Sequence, residues 1–161
     1  MEATRKIVFG LGNTLNNDEG MGVFAMQALE KRLRDLVVDD LEFIDGGVLG
    51  LNLLPWVEEA SHLLVLDAIN ASKEPGTVIE LKSDEIPLYT GVKMSDHQIL
   101  FQEVLGLAKF REKFPENLHM VGAQPVDLSV GVELSSGIKK VMPEILDRAE
   151  AVLRSWGLMK E

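Results

Sequence analysis

The segment Leu63-Leu64-Val65-Leu66, an unbroken apolar run that stops at Asp67, limits the architecture more than any other stretch of the chain. A strand with one wet face alternates apolar and polar residues. A run without alternation suits a strand covered on both faces, which places helices above and below the sheet. The neighbouring pattern agrees. Lys6 to Leu11 is a β-rich run ended by Gly12-Asn13, and Asp18 or Asn17 is placed to cap a helix reaching about Leu36. Val23, Met26, Leu29 and Leu33 form the apolar stripe of that helix. Leu41 to Ile44 reads as a second strand closed by Asp45-Gly46-Gly47, and Leu51 to Glu59 as a short helix.

Thr77 to Leu81, after the Glu74-Pro75-Gly76 turn signal, reads as the strand that follows Leu63–Leu66. Ser95-Asp96-His97-Gln98 has the spacing of a capping box and predicts a helix to about Leu107. Leu118 to Val121 is the last strand, stopped by Gly122 and Pro125. A C-terminal helix is predicted from about Ser136 to Trp156, with Ile138, Val141, Ile145, Ala149, Val152 and Trp156 on one face and Gly157 at its end. Pro143 either kinks this helix or marks its first turn. Strands alternating with helices predict a single α/β domain, a three-layer α/β/α sandwich around a mostly parallel sheet. Ser83 to Met94 is the one stretch that reads as loose.

Composition removes several chemistries. There is no cysteine, which excludes disulfides, thiolate catalysis, Cys-type zinc sites and iron–sulfur clusters. The formal net charge is −10, so a phosphate backbone is a poor partner and no nucleic acid is expected. The N-terminal apolar run Ile7 to Phe9 breaks at Gly10, too short for a signal-peptide core or a membrane span. A cytoplasmic protein without membrane contact is the expectation.

Gly10-Leu11-Gly12, between a strand and a helix, resembles a dinucleotide loop, with Asp45 in the place of a ribose ligand. The third glycine is missing, because Leu15 stands there. Asp18-Glu19 would also compete with a pyrophosphate for the donors of the helix N-terminus.

Three residues carry the candidate chemistry: Glu19, Asp67 and His97. Glu19 has an ordinary reading as favourable charge near a helix start, and Asp67 as a turn residue. Open α/β sheets, however, bind ligands outside the carboxyl ends of their strands, where Asp67 lies. A His in the first turn of a helix is disfavoured as imidazolium and keeps the lone pair that a metal needs. His62 and His119 fall at strand starts, the opposite sheet edge, and are read as non-functional. There is no G-x-S-x-G elbow, so the nucleophile of any hydrolysis would be water activated by a metal or a carboxylate.

Gly10 to Val23, Asp45-Gly46-Gly47, Asp67-Ala68, Ser95 to Gln98 and Val121-Gly122-Ala123-Gln124-Pro125, in this order and at these separations, form a set spread over nearly the whole chain. In that set the chain resembles the hydrogenase maturation endopeptidases. It implies a phosphorylase/hydrolase-like fold with a mixed five-stranded sheet, in which Thr77 to Leu81 is the one antiparallel strand. It implies removal of a C-terminal peptide from the nickel-loaded large-subunit precursor of a nickel–iron hydrogenase. The metal ligands it implies match Glu19, Asp67 and His97, with Asp18 a second acid that alignment disfavours. Glu19 and Asp67 are also the candidate catalytic residues, and Asp67 is either a ligand or a general base. The cofactor would be nickel supplied by the substrate, or another divalent metal at the same site. One-off docking to a large precursor favours a monomer. Gly46-Gly47 and Ser83 to Met94 are the candidate peptide-contacting loops. The alternative is a non-catalytic metal-sensing chaperone module that binds the same precursor. Peptidyl-tRNA hydrolase, similar over Val8 to Asn13, is a third reading that the acidic charge opposes.

Overall fold

The computed structural model describes residues 2–48, 50–86 and 101–161. Five strands form one sheet: β1 (Arg5–Leu11), β2 (Leu41–Gly47), β3 (Ala60–Ala68), β4 (Val78–Lys82) and β5 (Asn117–Ala123). Their spatial order is β2-β1-β3-β5-β4. The β1–β2, β1–β3 and β3–β5 pairs are parallel, and β4 runs antiparallel to β5.

The apolar run in β3 behaves as its pattern predicts. Leu63, Leu64, Val65 and Leu66 are all fully buried. Leu64 and Leu66 face one core with α1 (Met21–Leu33) and α4 (Ser136–Ser155). Leu63 and Val65 face a second core with α2 (Leu54–Glu59) and α3 (Phe101–Phe110). The helical layers are what keep both faces of the central strand dry. On the second face Phe9 of β1 meets Trp56 and Phe101 edge-on, with ring centroids 6.2 and 6.0 Å away.

Several boundaries differ from the sequence reading. Helix α1 begins at Met21 and ends at Leu33; residues Asn17–Gly20 form a 3-10 turn instead of its first turn. Neither Asn17 nor Asp18 caps it, because Gly20 is its N-cap residue with no side-chain hydrogen bond. Asp18 is engaged elsewhere, as described below. Strand β5 continues through Gly122 to Ala123, because those residues pair with Asp67 and Ala68. Pro143 lies inside α4 and not in its first turn. Ser135 supplies the cap there, its hydroxyl accepting from the Ile138 N–H at 3.3 Å.

Sheet order defines where a ligand would sit. The chain leaves β1 for β2 on one side and returns to β3 on the other, so connections diverge between β1 and β3. That divergence opens a crevice at the carboxyl ends of the two strands. No helix among the described residues is long and apolar enough to cross a membrane.

Candidate functional site

Two of the three predicted site residues meet at this crevice. Glu19 comes from the 3-10 turn that follows β1, and Asp67 is the next-to-last residue of β3. Backbone contact closer than any side chain permits brings them together. Gly12 has φ +124°, and a Cβ there would stand 1.8 Å from the Glu19 carbonyl oxygen. At Gly22 a Cβ would meet the Leu66 carbonyl at 2.1 Å and the Leu11 carbonyl at 2.3 Å. The start of α1 therefore rests directly on the ends of β1 and β3, which only glycine allows.

The Glu19 side chain is 5% exposed, and its Oε2 has no hydrogen-bond partner among the described residues. Burial pushes this carboxyl up from 4.5 to about 7, since a charge removed from water loses hydration. Asp67 is partly buried, and burial pushes it up to about 8. The Ala68 N–H, which donates to its Oδ1 at 2.8 Å, opposes the rise, and the nearby Glu19 charge adds to it. Two carboxyls that resist ionisation beside each other form a site short of positive charge.

Asp18 is the opposite case. It is fully buried, yet both of its oxygens are satisfied. Oδ2 accepts from the backbone N–H groups of Val126 and Asp127 at 2.9 and 2.8 Å and from the Ser135 hydroxyl at 2.7 Å. Oδ1 accepts from the Ser135 N–H at 2.7 Å. Asp18 thus pins the 126–135 loop and the start of α4 to the turn that carries Glu19. Sequence reasoning missed this anchor. Asp18 and its partners are more than a hundred residues apart, and no local pattern marks a carboxylate that will receive distant backbone donors.

The remaining candidates fall elsewhere. His97 and its capping box lie outside the described residues, as do residues 87–94 of the stretch read as loose. Phe101, four residues after His97, opens α3 and packs on Phe9 of β1. Gly47 ends β2 and its carbonyl accepts from the Gly12 N–H at 2.9 Å, which joins the Asp45-Gly46-Gly47 segment to the same sheet edge. His62 and His119 lie near the starts of β3 and β5 and flank Trp156. His119 Nε2 stands 2.6 Å from Glu80 Oε2.

The described residues gather no cluster of three or more His, Asp or Glu able to hold a metal. They offer two carboxylates, one with an unsatisfied buried oxygen. Oxygen donors of this kind fit a divalent cation, which would supply the positive charge that the pair lacks.

The hydrogenase maturation protease family matches residues 23–152. The chain belongs to this family. Among its relatives is the hydrogenase expression/formation protein HupD of Rhizobium leguminosarum bv. viciae, 44% identical over 97% of this chain and 77% of that one. The hydrogenase 2 maturation protease of Escherichia coli K12 is 35% identical over 96% of this chain and 93% of its own length. Among solved structures, the hydrogenase maturating endopeptidase HybD from E. coli superposes with a TM-score of 0.84 and 32% identity, covering 98% of this chain and 96% of that one. The maturation protease is therefore a peptidase hydrolase built on a five-stranded sheet with one antiparallel strand. The expectation that the strand after Asp67 runs antiparallel holds, with bounds Val78–Lys82.

Proposed function

We propose that the maturation protease cleaves the C-terminal extension from the nickel-loaded large-subunit precursor of a nickel–iron hydrogenase, and that Glu19 and His97 engage the precursor's nickel, with Asp67 as general base or third ligand. The observation that carries the metal assignment is the buried Glu19 Oε2, without a partner among the described residues and set beside Asp67 at the crevice between β1 and β3. Leaving a buried carboxylate oxygen unpaired costs free energy unless a ligand completes it. A nickel ion in the substrate is such a ligand, and an imidazole with two carboxylates is a donor set that nickel accepts.

The chain's own residues divide the work as follows. Glu19, positioned by the Gly12 contact and by the Asp18 anchor beside it, would present Oε2 to the metal. Nickel supplies Lewis acidity and fixes the position of the precursor's C-terminal segment. Asp67, raised by burial and by the Glu19 charge, would ionise once a cation offsets both, and as a carboxylate would take a proton from the attacking water and pass it to the leaving amine. Its alternative role is that of a third ligand. Kinship with proteases weighs against a purely chaperone-like module.

Incubation of the purified protein with nickel-loaded precursor tests this reading. Cleavage is expected, and Glu19→Gln, Asp67→Asn and His97→Ala are each expected to abolish it while preserving the fold. Normal cleavage by either carboxylate variant would remove that residue from the site. A stable complex that is never cut would favour the chaperone reading.

A further inference from the structure

The rim of the crevice carries apolar side chains that neither core uses. Leu15 is 62% exposed, Val130 86% and Val132 66%. They are distant in sequence and joined in space. Asn16 pairs with Gly131 in a parallel bridge. The Gly131 N–H donates to the Leu15 carbonyl and the Asn17 N–H to the Gly131 carbonyl, both at 2.9 Å. The bridge aligns the backbone of Leu15 to Asn17 with that of Val130 to Val132, and exposed Val126 opens the same loop. Single exposed apolar residues need no explanation, but a group held together beside a reactive centre marks an interaction surface.

Three features point to its occupant. First, the surface adjoins the candidate site, because Asp18, immediately before Glu19, grips Val126 and Asp127. Second, it is ordered in advance: the Asn17 side chain donates to Asp127 Oδ2 and Ser129 Oγ, both at 3.2 Å, and the Asn16 side chain to the Leu128 carbonyl at 3.3 Å. A partner landing there would lose little freedom in ordering it. Third, the charged side chains on the two segments that form it are acidic. Residues 7–30 and 114–138 contain no Lys or Arg, while Asp127 and exposed Glu133 lie on the loop.

We propose that this platform docks an extended segment of the protein substrate carrying apolar side chains together with Lys or Arg, and so aims the scissile bond at Glu19 and Asp67. The inference rests on precursor cleavage as the function.

The test uses the full chain and nickel-loaded precursor. Val130→Ser/Val132→Ser should raise KM about tenfold, the scale of losing two interface side chains. Glu133→Lys should also raise KM, and the wild-type KM should climb with added salt. Phe110→Ser, an equally exposed apolar residue at the end of α3, is the control expected to leave KM in place. An unchanged KM in the double variant, with wild type still cutting, would overturn the platform and leave cleavage standing. If wild type does not cut at all, the cleavage reading fails, and titration of uncut precursor against the double variant still decides the platform by its affinity. Conversion of a wild-type dimer to a monomer by the double variant would assign the surface to a second copy and overturn the proposal.

Discussion

Replacing Glu19 with Gln removes a charge and keeps the shape, which makes it a direct probe of the buried carboxyl. In the unfolded chain the group ionises near its ordinary 4.5, while in the folded chain it holds its proton to about 7. Below pH 4.5 both states are protonated at this position and ionisation contributes no difference. Between these values the unfolded state releases a proton that the native state keeps, so stability falls as pH rises. Above pH 7 the loss is complete. At roughly 1.4 kcal/mol per pH unit over that window, it amounts to about 3 kcal/mol. The Gln variant cannot suffer this loss. Its stability relative to wild type should therefore rise with pH by about 3 kcal/mol between pH 4 and pH 8, on top of a pH-independent offset from the amide. Urea denaturation of both proteins at matched ionic strength reads the difference; carboxylates that do not sense Glu19 cancel, and relief at Asp67 adds in the same direction. Asp67 should also titrate lower in the variant, since the Glu19 charge is one cause of its rise. A stability difference that stays flat from pH 4 to pH 8 would refute the claim that Glu19 is desolvated.

Three further outcomes are expected. Asp18→Asn keeps one acceptor and turns an amide toward backbone N–H groups, so it should cost about 3 kcal/mol and speed hydrogen exchange at Val126, Asp127 and Ser135. Gly12→Ala combines a positive φ with a collision at the Glu19 carbonyl, and should cost at least ~3 kcal/mol in denaturation while abolishing cleavage. Saturating Ni²⁺ at pH 8 should raise the Tm of wild type, with about 2.7 kcal/mol gained at a hundred times Kd, and should leave Glu19→Gln nearly unmoved.

The elements that were legible in the sequence are those whose signal is local. The run Leu63 to Leu66 announced a strand covered on both faces, and the four-residue stripe Val23, Met26, Leu29 and Leu33 announced an amphipathic helix; all eight side chains are buried. The start of that helix differs from its sequence pattern because Asp18 carries the marks of a cap. Donors from residues 126–135 outcompete the helix for its oxygens, which moves the helical start to Met21. The direction of β4 was likewise absent from its alternation pattern and came only with family resemblance, since a five-residue strand reads the same whichever way its partner runs.

Residue order alone specifies the alternation of strands and helices, the absence of cysteine chemistry, the acidic character, and the motifs that mark the family. These depend on periodicity and residue type, which act over a few residues. Packing makes β1 and β3 neighbours at the divergence of the sheet, and of two adjacent acids it saturates one and leaves the other with an oxygen that has no partner among the described residues. That difference follows from which distant backbone donors reach each side chain, and donors brought together by packing leave no mark in the residues that will accept them.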